Sequence, residues 1–216
     1  MTEIKKRFFT SILLFLVFFL CIYSQVAVTF FLVFCFYQMI SEFYFILSKI
    51  FKQNKFNTYI SMLFILSVLS CIIIFIWTTF IGDNYNAKLL FFLIVSITIS
   101  TDVGGFLFGK IFKGKKITKI SPKKTYSGMF GSYIISFILT YFLFKNYLAV
   151  TDLVLYILII STSSQIGDLL ISHLKRKANI KDAGNILPGH GGLLDRFDGL
   201  ILAIPIGLIL SKFYDF

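Results

Sequence analysis

Long apolar stretches follow one another along the chain, with short polar segments between them. A helix needs about 20 apolar residues to cross a bilayer, and seven stretches approach that length. They are residues 8–23, 25–47, 58–80, 87–109, 127–146, 152–174 and 193–213. Only residues 23–25 separate the first two stretches. We interpret them as a tight hairpin, because one helix of about forty residues would overshoot a bilayer.

The first apolar stretch has a second interpretation. Lys5, Lys6 and Arg7 precede it, and a basic segment before an apolar run is also typical of a secretory signal. No small-residue cleavage site follows clearly, and the hydrophobicity continues. We therefore interpret residues 8–23 as an uncleaved first span.

The basic residues distinguish the two sides of the membrane. Seven spans place the N-terminal basic residues and the loops at 49–55, 110–124 and 175–196 on one side. The other side holds three lysines, which are Lys88, Lys145 and Lys212. Cytoplasmic loops carry the excess of lysine and arginine. We predict a cytoplasmic N-terminus, cytoplasmic basic loops and an outward-facing C-terminus.

Composition supports the same class of protein. Hydrophobic residues make up 57% of the chain and charged residues only 14%, whereas a soluble domain usually carries about a quarter charged residues. We predict an all-α polytopic membrane protein with about seven transmembrane helices. No charge-rich soluble segment interrupts the pattern, so residues 1–216 are expected to form a single integral membrane domain. Residues 1–85 would supply the N-terminal helices, and residues 86–216 the catalytic helices and cytoplasmic loops.

The net charge of +11 could suggest a nucleic-acid partner, but the distribution of the charges does not. They cluster in short loops between apolar runs, as topology signals and contacts with anionic lipid or phosphate do. We therefore expect no nucleic acid. Cys21, Cys35 and Cys71 all lie inside apolar runs without a Cys or His at ligand spacing, so we predict neither disulfides nor a metal site there.

Acidic residues are few enough to consider singly. Six of the ten lie near or within the cytoplasmic halves of the predicted spans: Glu42, Asp102, Asp168, Asp182, Asp195 and Asp198. An ionisable group at membrane depth costs about 2.5–3.5 kcal/mol and is a functional candidate by default. Four of the aspartates also lie beside glycine or basic residues, which suggests a polar cleft.

The densest polar segment covers residues 172–199. Asp195 and Asp198 are three residues apart at the start of the last predicted span, so on a helix they would share a face. Two carboxylates on one face repel unless a cation joins them, and oxygen ligands favour Mg²⁺. The preceding Pro-Gly-His-Gly-Gly segment at 188–192 opens this helix, and backbone N–H groups at a helix start suit phosphate.

The preceding span carries a second polar row. Asp168, Ser172 and Lys175 or Arg176 fall at helical spacing on one side, which places a carboxylate, a hydroxyl and a cation in line. Simpler explanations exist for single residues. Asp195 to Asp198 could be an interfacial salt-bridge cluster, the basic run at 175–177 a topology signal, and a loop histidine a helix cap.

A longer motif favours the functional explanation. Residues 172–198 read S-x-x-K-R-x₄-K-D-x-G-x₂-L-P-G-H-G-G-x₂-D-R-x-D. This run resembles the signature of the phosphatidate cytidylyltransferases (CDP-diacylglycerol synthases) from end to end. A second resemblance lies in D-x-G-G-x₃-G-K at 102–110 with S-P-K-K-T-x₂-G at 121–128, and Glu42 is a weaker match.

The resemblance implies transfer of a cytidylyl group from CTP to phosphatidate, giving CDP-diacylglycerol and pyrophosphate for phospholipid synthesis. The phosphate of phosphatidate is a monoester with a second pKa of about 6, so it needs no strong general base. It does need two anionic reactants held in line and charge neutralised on the leaving group. The partners would be CTP and phosphatidate in the membrane, and a homodimer is left open. The cleft would open to the cytoplasm and to the inner leaflet of a bacterial-type cytoplasmic membrane.

The resemblance also suggests roles for particular residues. Catalytic roles fall to Asp195, Asp198, Asp168, Lys175, Arg176 and Arg196. Contacts with substrate phosphate fall to Ser121, Lys124, Thr125, Gly189, His190, Gly191, Gly192 and Asp102. The expected Mg²⁺ ligands are Asp195, Asp198 and Asp168, and a second cation is left open.

Two other functions fit parts of the sequence. A CTP-dependent polyprenol or phytol kinase would use an alcohol as acceptor and would need a general base. A transporter for an anionic solute would use the basic loops as gates and would be expected to show paired half-sites. The sequence shows no two-fold symmetry, and the long motif favours the cytidylyltransferase over the kinase.

The predicted topology can be tested directly. Lys116→Cys, in the loop between the fourth and fifth predicted spans, should react with an impermeant thiol reagent only after the inner face of the membrane is opened. Labelling of intact cells would invert the topology.

Overall fold

The computed structural model describes residues 16, 20, 24–52, 54–82, 84–118, 121, 124–186 and 191–213. The elements are helices α1 (Gln25–Ile50), α2 (Lys55–Ile81), α3 (Tyr85–Phe112), α4 (Tyr126–Phe144), α5 (Val150–Lys177), α6 (Leu194–Phe197) and α7 (Leu200–Leu210). Within these described ranges no β-strand forms, and an isolated antiparallel bridge joins Lys116 to Thr125. The all-helical prediction is confirmed.

Short polar side chains start four of the long helices. Ser24 accepts a hydrogen bond from the Ala27 N–H at 3.3 Å at the start of α1. Asn54, Asn84 and Thr125 do the same at the starts of α2, α3 and α4. Serine, threonine and asparagine favour this position because their side-chain oxygens satisfy an N–H that has no partner within the helix. The polar segments between the apolar runs therefore fix where the helices begin.

Five helices, α1 to α5, are long and apolar enough to cross a membrane. They coincide with the predicted spans 25–47, 58–80, 87–109, 127–146 and 152–174, with ends that differ by a few residues. Their outer surfaces carry large aromatic side chains, and Phe30 and Phe64 are more than 70% exposed. Such apolar surface suits lipid contact. The chain is an integral membrane protein.

The last predicted span differs from the structure. Instead of one helix over residues 193–213, the chain forms the four-residue α6 and the eleven-residue α7. Between them, the Asp198 carboxylate accepts a hydrogen bond from the Gly199 N–H at 2.9 Å. Aspartate side chains compete with the helical backbone in this way. The prediction of one continuous helix is wrong. The prediction that Asp195 and Asp198 share a helical face is wrong for the same reason, because α6 ends at Phe197. The first predicted span, 8–23, lies outside the described residues except for Leu16 and Leu20, so the count of seven stays a prediction.

The chain forms two compact units that alternate along the sequence. The first comprises Met1–Asp83 and Leu174–Phe197, and the second comprises Asn84–His173 and Asp198–Phe216. Helix α5 contributes its last turn to the first unit and the rest of its length to the second. The division predicted near residue 85 did not anticipate that residues 174–197 group with the N-terminal helices. The single integral membrane domain stays a prediction.

In the first unit, α1 packs against α2 and buries an apolar stripe along its length. The buried positions of α1 recur every three or four residues, as in Leu32, Cys35, Met39 and Ile46. The stripe also includes Glu42, which is only 3% exposed. A carboxylate buried among apolar side chains requires compensating hydrogen bonds.

In the second unit, α3 and α4 approach closely because glycines line their contact. A β-carbon on Gly104 would lie 2.5 Å from the carbonyl oxygen of Gly131, and one on Gly131 would overlap the Phe108 side chain. Small residues allow this approach in membrane helices, where apolar side chains gain nothing by leaving lipid. Buried hydroxyls add hydrogen bonds, since Thr101 contacts Ser136 at 3.0 Å and Ser161 at 2.9 Å.

This close approach predicts an asymmetry between neighbouring positions of α3. Gly104→Val should lower the free energy of unfolding by about 1–3 kcal/mol, since its side chain has no space against α4. Val103→Leu, at a half-exposed position, should change it by less than about 0.5 kcal/mol. Thermal unfolding of both variants in the same detergent measures the difference. Equal stabilities would show that α3 and α4 are not packed this tightly.

Candidate active site

A cavity of about 300 Å³ lies within the second unit, between α3, α4, α5 and the segment that leads into α4. Seven of its twelve lining residues are polar, and the others are glycine, Phe106, Ile117 and Met129. The polar lining residues are Thr101, Asp102, Lys124, Thr125, Ser132, Gln165 and Asp168. Four of these, Asp102, Lys124, Thr125 and Asp168, are predicted site residues, so the fold brings together residues that are up to 66 positions apart in the sequence.

Two of the lining residues form an ion pair. The Lys124 Nζ is 2.5 Å from the Asp168 Oδ2, and it also donates to the Gln165 carbonyl at 3.4 Å. The Ser172 hydroxyl donates to the other oxygen of Asp168 at 3.2 Å. The side chains of Lys124 and Asp168 are 25% and 29% exposed, so a solute in the cavity can reach both. An ammonium has three N–H donors, and these contacts use two of them.

The segment before α4 fixes the position of Lys124. The main-chain carbonyl of Lys124 accepts a hydrogen bond from the Ile117 N–H at 3.0 Å. The Tyr126 N–H donates to the main-chain carbonyl of Lys115 at 3.0 Å. These two bonds flank the bridge between Lys116 and Thr125. The predicted phosphate ligand Ser121 lies in the same segment, where its carbonyl accepts from the Lys124 N–H at 3.1 Å, but it does not line the cavity.

Asp198 also belongs to the second unit. A β-carbon on Gly167 would lie 2.6 Å from the Asp198 carbonyl oxygen, so the backbone of Asp198 passes beside the residue that precedes Asp168. Its side chain accepts the Gly199 N–H. The second unit therefore holds three of the predicted acidic residues: Asp102, Asp168 and Asp198.

Asp195, the remaining aspartate among the predicted site residues, lies in the first unit and has different surroundings. Its Oδ1 is 2.5 Å from the Lys175 Nζ, and both side chains are only 11% exposed. Its Oδ2 accepts hydrogen bonds from the Ala183 N–H at 2.9 Å and the Gly192 N–H at 3.0 Å. Asp195 therefore binds one side-chain cation and two main-chain groups of its own segment.

Glu42 makes a second set of contacts with the same segment. Its Oε1 accepts from the Leu193 N–H at 3.0 Å, and its Oε2 accepts from the Leu194 N–H at 2.7 Å. The Gln38 amide donates to Oε1 at 3.0 Å. The sequence indicates Glu42 as an acidic residue at membrane depth but indicates no partner for it. Its partners lie about 150 positions away, and no periodic pattern connects them.

The glycine-rich segment at 188–192 is described only in part. Gly189 and His190 lie outside the described residues, so their predicted contacts with phosphate stay predictions. Gly191 has φ of +84°, a left-handed conformation that favours glycine. The Gly192 N–H, one of those predicted to bind phosphate, donates to Asp195 instead.

The remaining predicted cations are at the end of α5 and in α6. Arg176 is exposed, and its guanidinium donates to the Ile180 carbonyl at 3.3 Å. Arg196 is exposed in α6. Both belong to the first unit, as Lys175 does.

The acidic residues differ in how well their surroundings would suit a metal ion. Among the described residues, no three His, Cys, Asp or Glu side chains converge on one point. Mg²⁺ needs no such group, because it is commonly bound by one or two carboxylates together with waters and substrate phosphates. Asp102 and Asp168 line one cavity and fit this pattern. Asp195 fits it poorly as arranged, because three N–H donors already occupy its two oxygens.

Comparison with known proteins gives one family. The cytidylyltransferase family matches residues 1–214 of the chain. A Rickettsia bellii protein called phosphatidate cytidylyltransferase is 40% identical over 146 residues, which is 62% of this chain and 63% of that protein. A Bacillus subtilis protein of the same name is 42% identical over 127 residues, 57% of this chain and 47% of its own length. The chain thus matches less than two thirds of the length of these relatives.

The buried ion pair of the first unit predicts a loss of stability that does not depend on any activity. Lys175→Met should lower the free energy of unfolding by about 3–5 kcal/mol, because it leaves the buried Asp195 carboxylate without its cation. Lys177→Met removes the same charge from an exposed position of the same helical turn and should cost less than about 0.5 kcal/mol. Equal melting temperatures for the two variants would contradict the buried pair.

Proposed function

Because the chain belongs to the cytidylyltransferase family, we propose that it transfers a cytidylyl group from CTP to phosphatidate and releases pyrophosphate. The product, CDP-diacylglycerol, would enter phospholipid synthesis. Relatives named phosphatidate cytidylyltransferase, about 40% identical, support this choice of substrates. The structural observation that carries it is the half-buried Lys124–Asp168 pair, which presents a cation and a carboxylate to a cavity within an apolar helical unit.

The reaction mainly requires positioning and charge neutralisation. An oxygen of the phosphatidate phosphate attacks the α-phosphorus of CTP. The bond from that phosphorus to the oxygen bridging the β-phosphate breaks, and pyrophosphate leaves with that oxygen. The attacking phosphate is already largely ionised near neutral pH, so no side chain has to remove a proton. The protein must hold the reactants in line and stabilise the charge of the leaving group.

Lys124 suits this task. Its ammonium retains a third N–H beyond those directed at Asp168 and Gln165, and a phosphate oxygen in the cavity could accept it. Asp168 orients the ammonium, and Ser172 orients Asp168. Thr125 is committed to the start of α4, where its hydroxyl accepts the Gly128 N–H at 3.1 Å. We therefore assign substrate contact first to Lys124, and we assign Thr125 the task of fixing the backbone next to it.

We propose Mg²⁺ as the cofactor and place it with the second unit. Asp168 and Asp102 would hold it, and Asp198 is the next candidate because its backbone lies beside Gly167. When bound, the ion would neutralise phosphate charge and orient the phosphate oxygens. Asp195 was predicted as a ligand too. In its present arrangement it binds Lys175, so we assign it to the local structure of its own segment.

The cations predicted to contact substrate at 175–196 all belong to the first unit and stay part of the proposal. Arg176 is exposed at the end of α5 and is our first candidate there, with Arg196 as the second. Lys175 is nine-tenths buried and held by Asp195, so we expect it to act mainly by keeping that segment in place. The predicted phosphate cradle at 189–192 stays part of the proposal, with Gly191 and Gly192 as its described members.

The wider setting of the enzyme is also proposed. Seven spans with a cytoplasmic N-terminus would place the basic loops, and the acidic residues near them, at the cytoplasmic face of a bacterial-type inner membrane. The site would open to the cytoplasm for CTP and to the inner leaflet for phosphatidate. A homodimer is compatible with this arrangement.

Two isotopic labels separate the candidate functions. Purified protein in lipid–detergent micelles would receive phosphatidate and CTP labelled on either the α- or the γ-phosphate, with and without Mg²⁺. We expect the α-label in the lipid product and the γ-label in pyrophosphate. With a polyprenol or phytol as acceptor, a kinase would instead transfer the γ-label to lipid. No label in any lipid, together with CTP-independent uptake of anions into proteoliposomes, would favour a transporter.

The same assay tests the role of Lys124. Lys124→Ala should lower kcat/KM at least about tenfold, since a charge-assisted contact with a phosphate that gains charge is worth a few kcal/mol. Lys113→Ala, an exposed lysine of the same basic loop, should stay within about threefold. Equal, mild effects would mean that the loop only sets topology and attracts anions.

A further inference from the structure

Glu42 is a buried carboxylate that forms no ion pair with any described lysine, arginine or histidine. Its three hydrogen-bond donors are all neutral groups: the N–H of Leu193, the N–H of Leu194 and the side-chain amide of Gln38. A carboxylate taken out of water needs such donors, and its hydrogen bonds are about twice as strong as neutral ones. Glu42 is therefore a strong point of attachment for the two main-chain groups.

The shape of the segment around Glu42 matches the carboxylate. A β-carbon on Gly184 would lie 2.7 Å from the Glu42 Oε1, and one on Gly192 would lie 2.7 Å from the Oε2. Real β-carbons do not approach oxygen so closely. Both glycines therefore provide the space in which the carboxylate meets the backbone. Two glycines of the 172–198 motif are therefore explained by their contact with Glu42, which lies far outside the motif.

The contacts continue from Glu42 to Lys175. Leu194, held by Glu42, is the first residue of α6, and Asp195 follows it directly. Asp195 in turn binds the N–H of Gly192, the N–H of Ala183 and the ammonium of Lys175. Without Glu42, the N–H groups of Leu193 and Leu194 would lose their acceptors. The backbone that carries Asp195 and Arg196 would then lose its fixed orientation.

We propose that Glu42 is a positioning residue: it fixes the turn at 191–194 and α6, and through them it orients Asp195, Lys175 and Arg196. It is not a catalytic residue, because it is 3% exposed and its oxygens face main-chain N–H groups. Its effect on turnover rests on the proposed cytidylyltransferase function. Its effect on the turn does not.

The isosteric variant Glu42→Gln tests the proposal. Glutamine fills the same space but replaces one acceptor oxygen with an NH₂ group that faces an N–H donor. Hydrogen–deuterium exchange of a peptide covering residues 191–197 should become at least about tenfold faster, because a hydrogen bond to a charged group contributes about 1.5–3 kcal/mol. Peptides from α3 and α4 should exchange as in the wild type. Unchanged exchange in residues 191–197 would overturn the proposal.

Turnover provides the second measurement. Per molecule of monodisperse protein, kcat/KM for CTP should fall at least about tenfold in Glu42→Gln. The matched control is Ile46→Val, a fully buried position one turn further along α1, whose effect should be confined to stability. If Glu42 only filled space, Gln would act like the wild type. If Glu42 only supported global stability, the control would lose kcat/KM in proportion to its loss of melting temperature.

A double variant shows whether Glu42 acts on the turn itself. Gly184→Ala alone should lower kcat/KM, because its methyl group displaces the carboxylate. In a Glu42→Ala background the same change should add less than about a twofold loss, since nothing remains to be displaced. Additive losses would contradict the coupling. If the wild type transfers no label from CTP to phosphatidate, the proposed function fails, and the exchange experiment still decides the role of Glu42.

Discussion

The local structure of residues 182–197 depends on main-chain hydrogen bonds to two buried carboxylates. The described parts of this segment, residues 182–186 and 191–197, contain only the four helical residues of α6, and buried N–H groups outside regular structure need an acceptor. Glu42 accepts two of them and Asp195 accepts two more. Neither residue could be replaced by an apolar one without leaving these donors unsatisfied, at about 1–3 kcal/mol each.

The second unit depends instead on the close packing of its helices. Its helices approach through glycines and hydroxyls, and a cavity of about 300 Å³ in this unit is lined by both polar and apolar residues. The Lys124–Asp168 pair is about one quarter exposed, so its charges are available for chemistry in a way that those of Lys175 and Asp195 are not. We therefore propose different roles for two ion pairs of similar length. The partly exposed Lys124–Asp168 pair suits a reaction that stabilises phosphate charge, and the buried Lys175–Asp195 pair suits the maintenance of a turn.

Some of this could be predicted from the sequence and some could not. The five long helices follow from apolar runs of about 20 residues and from the polar residues that start them, since both are local features. The prediction of one continuous last helix was wrong because hydropathy does not record that the Asp198 side chain competes for the Gly199 N–H. The grouping of Asp102, Lys124 and Asp168 was inferred from resemblance, and the packing of α3, α4 and α5 brings the three residues together. The partners of Glu42 and the pairing of Asp195 with Lys175 required the fold, because contacts across about 150 or 20 positions leave no periodic trace.

The central claim is that the two kinds of carboxylate differ: Asp168 and Asp102 are available to a cation, whereas Asp195 is committed to Lys175 and to the backbone. The most direct measurement is a crystal structure with a non-hydrolysable CTP analogue and Mn²⁺ in place of Mg²⁺, with the metal located by its anomalous scattering. The account predicts an anomalous peak beside Asp168 and Asp102, with the Asp195–Lys175 ion pair intact. A Mn²⁺ ion bound to Asp195, with Lys175 displaced from it, would contradict the account.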